Sequence, residues 1–149
     1  MRALEELKKT WEKYTKGPLG SIIYLVLGFV IAFAANAMLG FALQSDTPVV
    51  AVFSESMVPT YYKGDMIIVQ GENNVSVGDV IVFDVPDRAY PIIHRVYSIE
   101  NNQIRTKGDN NAYVDPWVTT SDKIHGKAVL QIPFLGWVKI IFTEVTGIR

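Results

Sequence analysis

The sequence contains no cysteine among its 149 residues. That absence excludes disulfide bonds, zinc sites with cysteine ligands and a thiol nucleophile. Histidine is also scarce, with His94 and His125 as the two examples, so a histidine-rich metal site is not expected. The 14 lysine and arginine residues nearly balance the 15 aspartate and glutamate residues, a composition that does not favour nucleic-acid binding. From these features we expect no metal, no cofactor and no nucleic-acid partner.

Charged residues are absent between positions 17 and 45. Within that range, Ser21 to Leu43 is a stretch of 23 residues that is almost entirely apolar. About 20 helical residues cross the roughly 30 Å hydrocarbon core of a bilayer, so the sequence predicts a transmembrane helix over residues 19–44. A buried core helix and a cleaved signal peptide are the alternatives. Residues 35–37, Ala-Asn-Ala, have the small-x-small pattern of a cleavage site, although the apolar region of a signal peptide is shorter, at about 7–15 residues.

Basic residues flank this predicted span on one side. In the twenty residues that follow the apolar stretch Ser21–Leu43, 44–63, Lys63 is the one basic residue, whereas five precede it: Arg2, Lys8, Lys9, Lys13 and Lys16. The positive-inside rule therefore places residues 1–18 in the cytoplasm and residues 45–149 outside it. Three- and four-residue spacing also predicts a short N-terminal helix, either interfacial or solvated, with one face formed by Leu4, Leu7, Trp11 and Tyr14.

Short runs rich in valine and isoleucine follow the predicted span and alternate with turn residues. The runs predicted as strands are Val49–Phe53, Met66–Gln70, Val80–Asp84, Pro91–Glu100, Gln103–Lys107 and Lys127–Ile132. Asn101 and Asn102 are predicted to form a two-residue hairpin turn, because asparagine tolerates a positive φ. The pattern predicts a mainly β fold, with an antiparallel β domain preceded by one N-terminal transmembrane helix.

The segment Pro133–Phe142 is also apolar, with Lys139 as its one charged residue. Its ten residues are too few to span a bilayer as a helix. Two interpretations stay open: the segment caps the β core, or it dips into the membrane surface.

Hydrolysis of a peptide bond needs a nucleophile, a base and donors for the oxyanion. Ser56 is a candidate nucleophile because it lies just beyond the apolar run Val49–Phe53, at the rim of the predicted domain. Pro59 restricts its own φ and the conformation of the preceding residue, so it stiffens the loop that carries Ser56. A serine in a loop is most often a turn former, however, and spacing alone does not decide between the two.

A base and an acid can also be proposed from the residues. His94 shares an alternating face with apolar neighbours, where a neutral imidazole can act as a base, although such a histidine is most often structural. His125 is predicted to be a surface histidine in a loop. The loop 107–116 contains Asp109 and Asp115, either of which could orient an imidazole; a polar turn is the alternative for this loop.

These segments together resemble the sequence boxes of type I signal peptidases. Ser54–Pro59 resembles the S-x-S-M-x-P box, and the run Val77–Phe83 follows in the style of that family. His94-Arg95 comes next, and Lys107–Asn111 matches the G-D-N box. Eubacterial members typically have a catalytic lysine where this chain has His94, whereas members from archaea and the endoplasmic reticulum have histidine. The sequence is therefore similar to the second kind.

The resemblance implies roles for five residues. Ser56 would be the nucleophile and His94 the base, with Asp115 as the acid because it matches the later aspartate of the histidine-type members. Asp109 would support the site by hydrogen bonding, and which of the two aspartates is essential stays open. Ser54 matches the position whose hydroxyl joins the Ser56 backbone N–H in the oxyanion hole of eubacterial members.

The resemblance further implies a membrane-bound serine endopeptidase that removes signal peptides from translocated precursors and cuts after a small residue. Its partners would be signal peptides and the lipid bilayer, and an association with the translocation machinery stays open. It would lie in the cell membrane or the endoplasmic reticulum membrane as a single-pass protein. Two other functions stay open: a Ser–Lys protease with Lys63 or Lys107 as base, and a non-catalytic, membrane-tethered β domain that acts as a binding subunit of a processing complex.

Overall fold

The computed structural model describes residues 4–6, 10–11, 15–72, 74–86, 88 and 90–147. The chain divides into two units, Met1–Leu39 and Gly40–Arg149. A long apolar helix forms most of the first unit and ends in the second, which also contains a six-stranded sheet and a shorter helix.

The long helix α1 comprises Pro18–Leu43. Proline is favourable in a first helical turn, where its missing N–H has no partner in any case. The helix ends at Leu43, and the next residue, Gln44, has a left-handed φ of 51°. Within the described part of the chain, α1 is the one helix long and apolar enough to cross a membrane. Its bounds agree closely with the predicted span at residues 19–44, and membrane insertion itself stays a prediction.

The predicted N-terminal helix is described only in part. Residues 4–6, 10–11 and 15 are helical, and Leu4 and Trp11 are exposed. The other two residues of the predicted face, Leu7 and Tyr14, lie outside the described residues. The interfacial and the solvated interpretations therefore both stay open.

The β domain is built from one sheet. Its strands are β1 (Val49–Ala51), β2 (Met66–Gln70), β3 (Val80–Phe83), β4 (Ile92–Glu100), β5 (Gln103–Lys107) and β6 (Ile124–Ile132). All neighbouring pairs are antiparallel, in the order β1-β2-β6-β3-β4-β5. The predicted mainly β fold is confirmed, although β1 ends at Ala51 rather than Phe53.

The start of β6 corrects one prediction. This strand begins at Ile124, directly after a single 3₁₀ turn at Ser121–Lys123, because its pairing with β3 continues to the Ile124–Phe83 pair. His125 therefore lies in a strand and not in a loop. Its Nε2 is 3.0 Å from Oδ1 of Asp84, and its side chain is only partly exposed.

The turn between β4 and β5 confirms the hairpin prediction. Asn101 and Asn102 have φ values of 49° and 61°, so both occupy the left-handed region. Two consecutive residues of positive φ are what a type I′ hairpin turn requires, and its twist matches that of the flanking strands.

Both faces of the sheet are covered by apolar side chains. All four residues of β3 are buried, and they alternate between two clusters. The first cluster contains Val52, Met57, Ile67, Val69, Val80, Val82 and Ile93. The second contains Val75, Ile81, Phe83, Val85, Val96, Ile104 and Ile124. On β4, the side chain of His94 is shielded from water, whereas that of Arg95 on the opposite face is 37% exposed.

The short helix α2 comprises Trp137–Thr146 and lies within the predicted apolar C-terminal segment and just beyond it. It packs against β1, and Ile140 is fully buried. The capping interpretation therefore agrees with the observed packing. The opposite side of the helix is exposed and apolar, with Val138, Ile141, Phe142 and Val145.

Candidate active site

Ser56 lies in a tight turn that follows β1. The next residue, Met57, is 1% exposed and belongs to the first apolar cluster, so it fixes the turn to the core. Tyr61 N donates to Met57 O over 2.9 Å, and the Val58–Pro59 peptide is cis. The turn thus holds Ser56 at the surface of the domain, with its side chain only partly covered.

His94 lies in the middle of β4, opposite Ile81 of β3. Directly opposite residues of an antiparallel pair share a face, so His94 lies on the face of the second apolar cluster, as alternation along β4 predicts. It is 5% exposed. Its Nε2 is 3.0 Å from Oγ of Ser56.

Asp115 fixes the orientation of this imidazole. Its Oδ2 is 2.6 Å from Nδ1 of His94. A carboxylate can only accept, so Nδ1–H is the donor and Nε2 is left as the acceptor that faces Ser56. The Ser56 hydroxyl is then the donor to Nε2, which is the arrangement that removal of its proton requires.

Thr106 on β5 holds Asp115 in turn. Its Oγ1 donates to Oδ2 of Asp115 over 2.7 Å, and Asp115 N donates to Thr106 O over 2.9 Å. Thr106 is opposite Val96 in the sheet and therefore on the same face as His94. Both Thr106 and Asp115 are buried, so the acid is fixed on the protected side of the imidazole.

Ser54 lies at the mouth of the site. Its Oγ is 3.1 Å from Oγ of Ser56, and it is exposed. Since the Ser56 hydroxyl donates to His94, the Ser54 hydroxyl is the donor in this contact. A donor is thereby aimed at the atom that would form a bond with a substrate.

Asp109 lies on the other side of β4. It accepts from Arg95 Nε over 2.8 Å and from Arg95 Nη2 over 2.6 Å, and Thr60 Oγ1 also donates to it. The pKa of Asp109 lies below its usual value, mainly because of the hydrogen bond from Arg95. The structure therefore separates the two candidate acids: Asp115 contacts the imidazole, and Asp109 contacts Arg95.

The loop after β5 is hydrogen-bonded to the turn that carries Ser56. Asn110 N donates to Ser56 O over 2.8 Å, and its side-chain amide donates to Glu55 O over 3.2 Å. Gly108 packs so closely that a Cβ there would lie 2.7 Å from Ser56 O. The G-D-N segment thus sets the position of the Ser56 backbone by direct contact.

These residues line an open cleft of about 760 Å³. Ser54, Ser56, His94 and Asp115 lie along one part of it, and the end of β1 contributes Ala51. Aromatic side chains, Phe53, Tyr90 and Trp117, add apolar surface, and the rings of Phe53 and Tyr90 are stacked. A cleft that is open to solvent along its length can admit an extended peptide segment.

Neither candidate lysine reaches Ser56. Lys63 Nζ lies over the ring of Trp137, 5.5 Å from its centroid. Lys107 is opposite Arg95 in the sheet and so projects from the face that His94 does not occupy. Among the described residues, no group of three side chains suited to hold a metal ion occurs.

Three residues that hydrogen-bond to the two candidate acids were not predicted from the sequence. Thr106 donates to Asp115, and Arg95 and Thr60 donate to Asp109. Alternation along β5 places Thr106 on the same face as His94, and this is the signal that could have identified it. Nothing in the sequence indicates Thr60, because its contact depends on how the Ser56 turn folds back toward β4.

The chain is similar to known peptidases. The model of the family described as Peptidase S24-like matches residues 30–129. The signal peptidase complex catalytic subunit SEC11 of Candida tropicalis is 32% identical over 136 residues, covering 81% of this chain and 82% of that protein. Its namesake from Scheffersomyces stipitis is 32% identical over 139 residues, with coverages of 85% and 84%. The counterpart from Schizosaccharomyces pombe is 31% identical over 157 residues, with coverages of 85% and 83%.

Proposed function

Because this chain belongs to the type I signal peptidase family, within the S24-like peptidases, we propose that it is a membrane-anchored serine endopeptidase that removes signal peptides from translocated precursors. The observation that carries the proposal is the hydrogen-bonded series Ser56, His94 and Asp115, with distances of 3.0 Å and 2.6 Å. A nucleophile, its base and the orienting acid are the three parts that acyl transfer to a serine needs.

In the proposed reaction, Ser56 Oγ attacks the carbonyl carbon of the scissile bond while His94 Nε2 takes its proton. Asp115 stabilises the imidazolium that forms and keeps the ring in the correct tautomer. His94 then returns the proton to the leaving amine, and the signal peptide is held as an ester on Ser56. A water molecule activated by His94 hydrolyses that ester and regenerates the free serine.

The oxyanion of each tetrahedral intermediate needs donors near Ser56. We assign this role to the Ser56 backbone N–H and the Ser54 hydroxyl, which is 3.1 Å from Ser56 Oγ. A rotation of the Ser54 side chain transfers its hydrogen bond from Ser56 Oγ to the developing oxyanion beside it. Such a donor is expected to strengthen most in the transition state, where it accelerates the reaction.

Cleavage after a small residue is part of the proposal. It follows from family membership, since members of this family accept small side chains, usually alanine, before the bond that they cut. The partly apolar cleft beside Ser56 and its aromatic lining are compatible with an extended, uncharged segment. The bond cut in any one precursor is therefore expected to follow a small residue.

The proposed membrane anchor has a kinetic purpose. Five residues separate the end of α1 from the start of β1, and Gly71 N, just past β2, donates to Leu43 O over 2.8 Å. The end of α1 is thus joined closely to the sheet that carries the site. If α1 spans the bilayer with residues 1–18 in the cytoplasm, the site lies near the outer surface, where a precursor presents its cleavage junction. The shared membrane then raises the effective concentration of substrate.

The test is cleavage of a secretory precursor by the purified full-length protein in detergent or liposomes. We expect a new N-terminus directly after a small residue, identified by mass spectrometry, and no product with Ser56→Ala at the same concentration. Cleavage by Ser56→Ala would overturn the assignment of the nucleophile. A wild-type protein that binds the precursor without cutting it would favour the non-catalytic subunit instead.

A further inference from the structure

Helix α2 is anchored firmly at its N-terminal end. Gly136 packs so closely on the β1–β2 turn that a Cβ there would lie 2.3 Å from Asp65 O. The Asp65 side chain is buried and accepts from Phe134 N over 3.3 Å. Gly64 leaves space for the Trp137 indole, since a Cβ on Gly64 would overlap that ring. These contacts pack the N-terminal end of α2 closely against the β domain.

The inward face of α2 continues from this anchor to the candidate active site. Ile140 is fully buried on that face. Thr143, Glu144 and Gly147 follow three, four and seven positions later, so they share the face by helical periodicity. All three line the cleft that contains Ser56 and His94. The last turn of α2 is therefore one wall of that cleft.

Glu144 brings a negative charge to this wall. It is exposed, and it makes no ion pair with any other described residue. Two other charged groups line the cleft. His94 pairs with Asp115, and Arg88 lies over the ring of Trp117, where it keeps its positive charge. The neighbouring wall positions are small, Thr143 and Gly147, so a substrate side chain has room to approach the carboxylate.

We propose that α2 is a substrate-binding wall and that Glu144 is a specificity-determining residue, which favours a basic side chain on the substrate residue that contacts this wall and disfavours an acidic one. The inference rests on the proposed function, because it concerns the substrate of the same cleft. A charge contact in an open cleft is partly screened by water, so we expect a preference of about twofold to fivefold in kcat/KM.

The experiment measures coupling between charge on the enzyme and charge on the substrate. Peptides based on one cleaved precursor carry lysine, glutamine or glutamate at each position around the scissile bond in turn. The full-length protein is compared with Glu144→Gln and Glu144→Lys. Glu100→Lys is the matched control, since Glu100 is also exposed but lies beside the Asn101–Asn102 turn. Circular dichroism checks that each variant is folded.

The proposal predicts at least one substrate position at which the wild type prefers lysine to glutamate. That preference should disappear in Glu144→Gln, reverse in Glu144→Lys and persist in Glu100→Lys. If the wild type cleaves the peptides but the ratio of lysine to glutamate rates is the same in all variants, the role of Glu144 is wrong and the proposed function stands. If the wild type cleaves neither peptides nor precursor, the proposed function itself fails.

Discussion

Thr106 donates a hydrogen bond to Asp115 over 2.7 Å, at the same carboxylate oxygen that lies 2.6 Å from His94 Nδ1. The threonine is fully buried, so no water competes for this contact. One buried hydroxyl thereby fixes the direction in which the carboxylate faces the imidazole. Thr106 is a positioning residue in the proposed mechanism, because it acts through Asp115 and does not touch substrate.

We predict that Thr106→Val lowers kcat and leaves KM nearly unchanged, since the Asp115 carboxylate loses a hydrogen bond worth about 1.5–3 kcal/mol and with it part of its orientation. Thr119→Val is the matched control: Thr119 is also buried, but its hydroxyl has no hydrogen-bond partner among the described residues. Steady-state kinetics on one peptide would distinguish them. Equal losses in the two variants would mean that Thr106 serves packing alone.

Gly108 provides a test of the contact between the G-D-N loop and the Ser56 turn. An alanine Cβ would lie 2.7 Å from Ser56 O, closer than any ordinary contact, so the turn or the loop must move. We predict that Gly108→Ala reduces kcat/KM by at least tenfold, because a small misplacement of a nucleophile is costly. Gly28→Ala is the control, since a Cβ at Gly28 meets nothing within 4 Å. Full activity of Gly108→Ala would show that the contact between the G-D-N loop and the Ser56 turn does not contribute to catalysis.

The Arg95–Asp109 pair predicts a pH dependence of stability. The hydrogen bond from Arg95 lowers the pKa of Asp109 in the folded protein. A carboxyl group with a lowered folded pKa stabilises the fold at pH values above its unfolded pKa, about 3.9, and loses this contribution as pH falls through the lowered value. The melting temperatures of the wild type and Asp109→Asn should therefore differ at neutral pH and converge in strong acid. A difference that stays constant with pH would contradict this role.

The sequence predicted the scaffold well because its signals are local. Alternation and turn residues located the six strands, and Asn101-Asn102 identified the hairpin. The boundary of β6 was missed because pairing with β3, not local composition, extends it to Ile124. Local signals thus give the elements, whereas their ends depend on partners that the sequence does not identify.

The candidate site was harder to predict from sequence than the scaffold. Ser56 and His94 came from motif resemblance, and so did the preference for Asp115 over Asp109 as the acid. The residue pattern of the loop alone could not rank the two aspartates, since the choice depends on which side of β4 each one reaches. Asp115 reaches His94 and Asp109 reaches Arg95. The sequence also did not predict that α2 lines the cleft, because the composition of a short apolar segment does not show where its C-terminal end lies in the fold.

Ser54 tests the oxyanion part of the mechanism. If its hydroxyl donates to the oxyanion, Ser54→Ala should reduce kcat by about 10²–10³, equivalent to roughly 2.7–4 kcal/mol, with little change in KM. Ser54→Thr keeps a hydroxyl and should retain more activity than Ser54→Ala. Steady-state kinetics on a single peptide is sufficient. Wild-type activity in Ser54→Ala would remove this residue from the mechanism.

The central claim is that Ser56 and His94 act as one catalytic unit, and a double-variant comparison tests it most directly. Single-turnover cleavage of one precursor is measured for the wild type, Ser56→Ala, His94→Ala and the variant with both changes. Residues that act together give non-additive losses, so the double variant should be no slower than Ser56→Ala alone. Losses that add, or substantial activity in His94→Ala, would contradict the account.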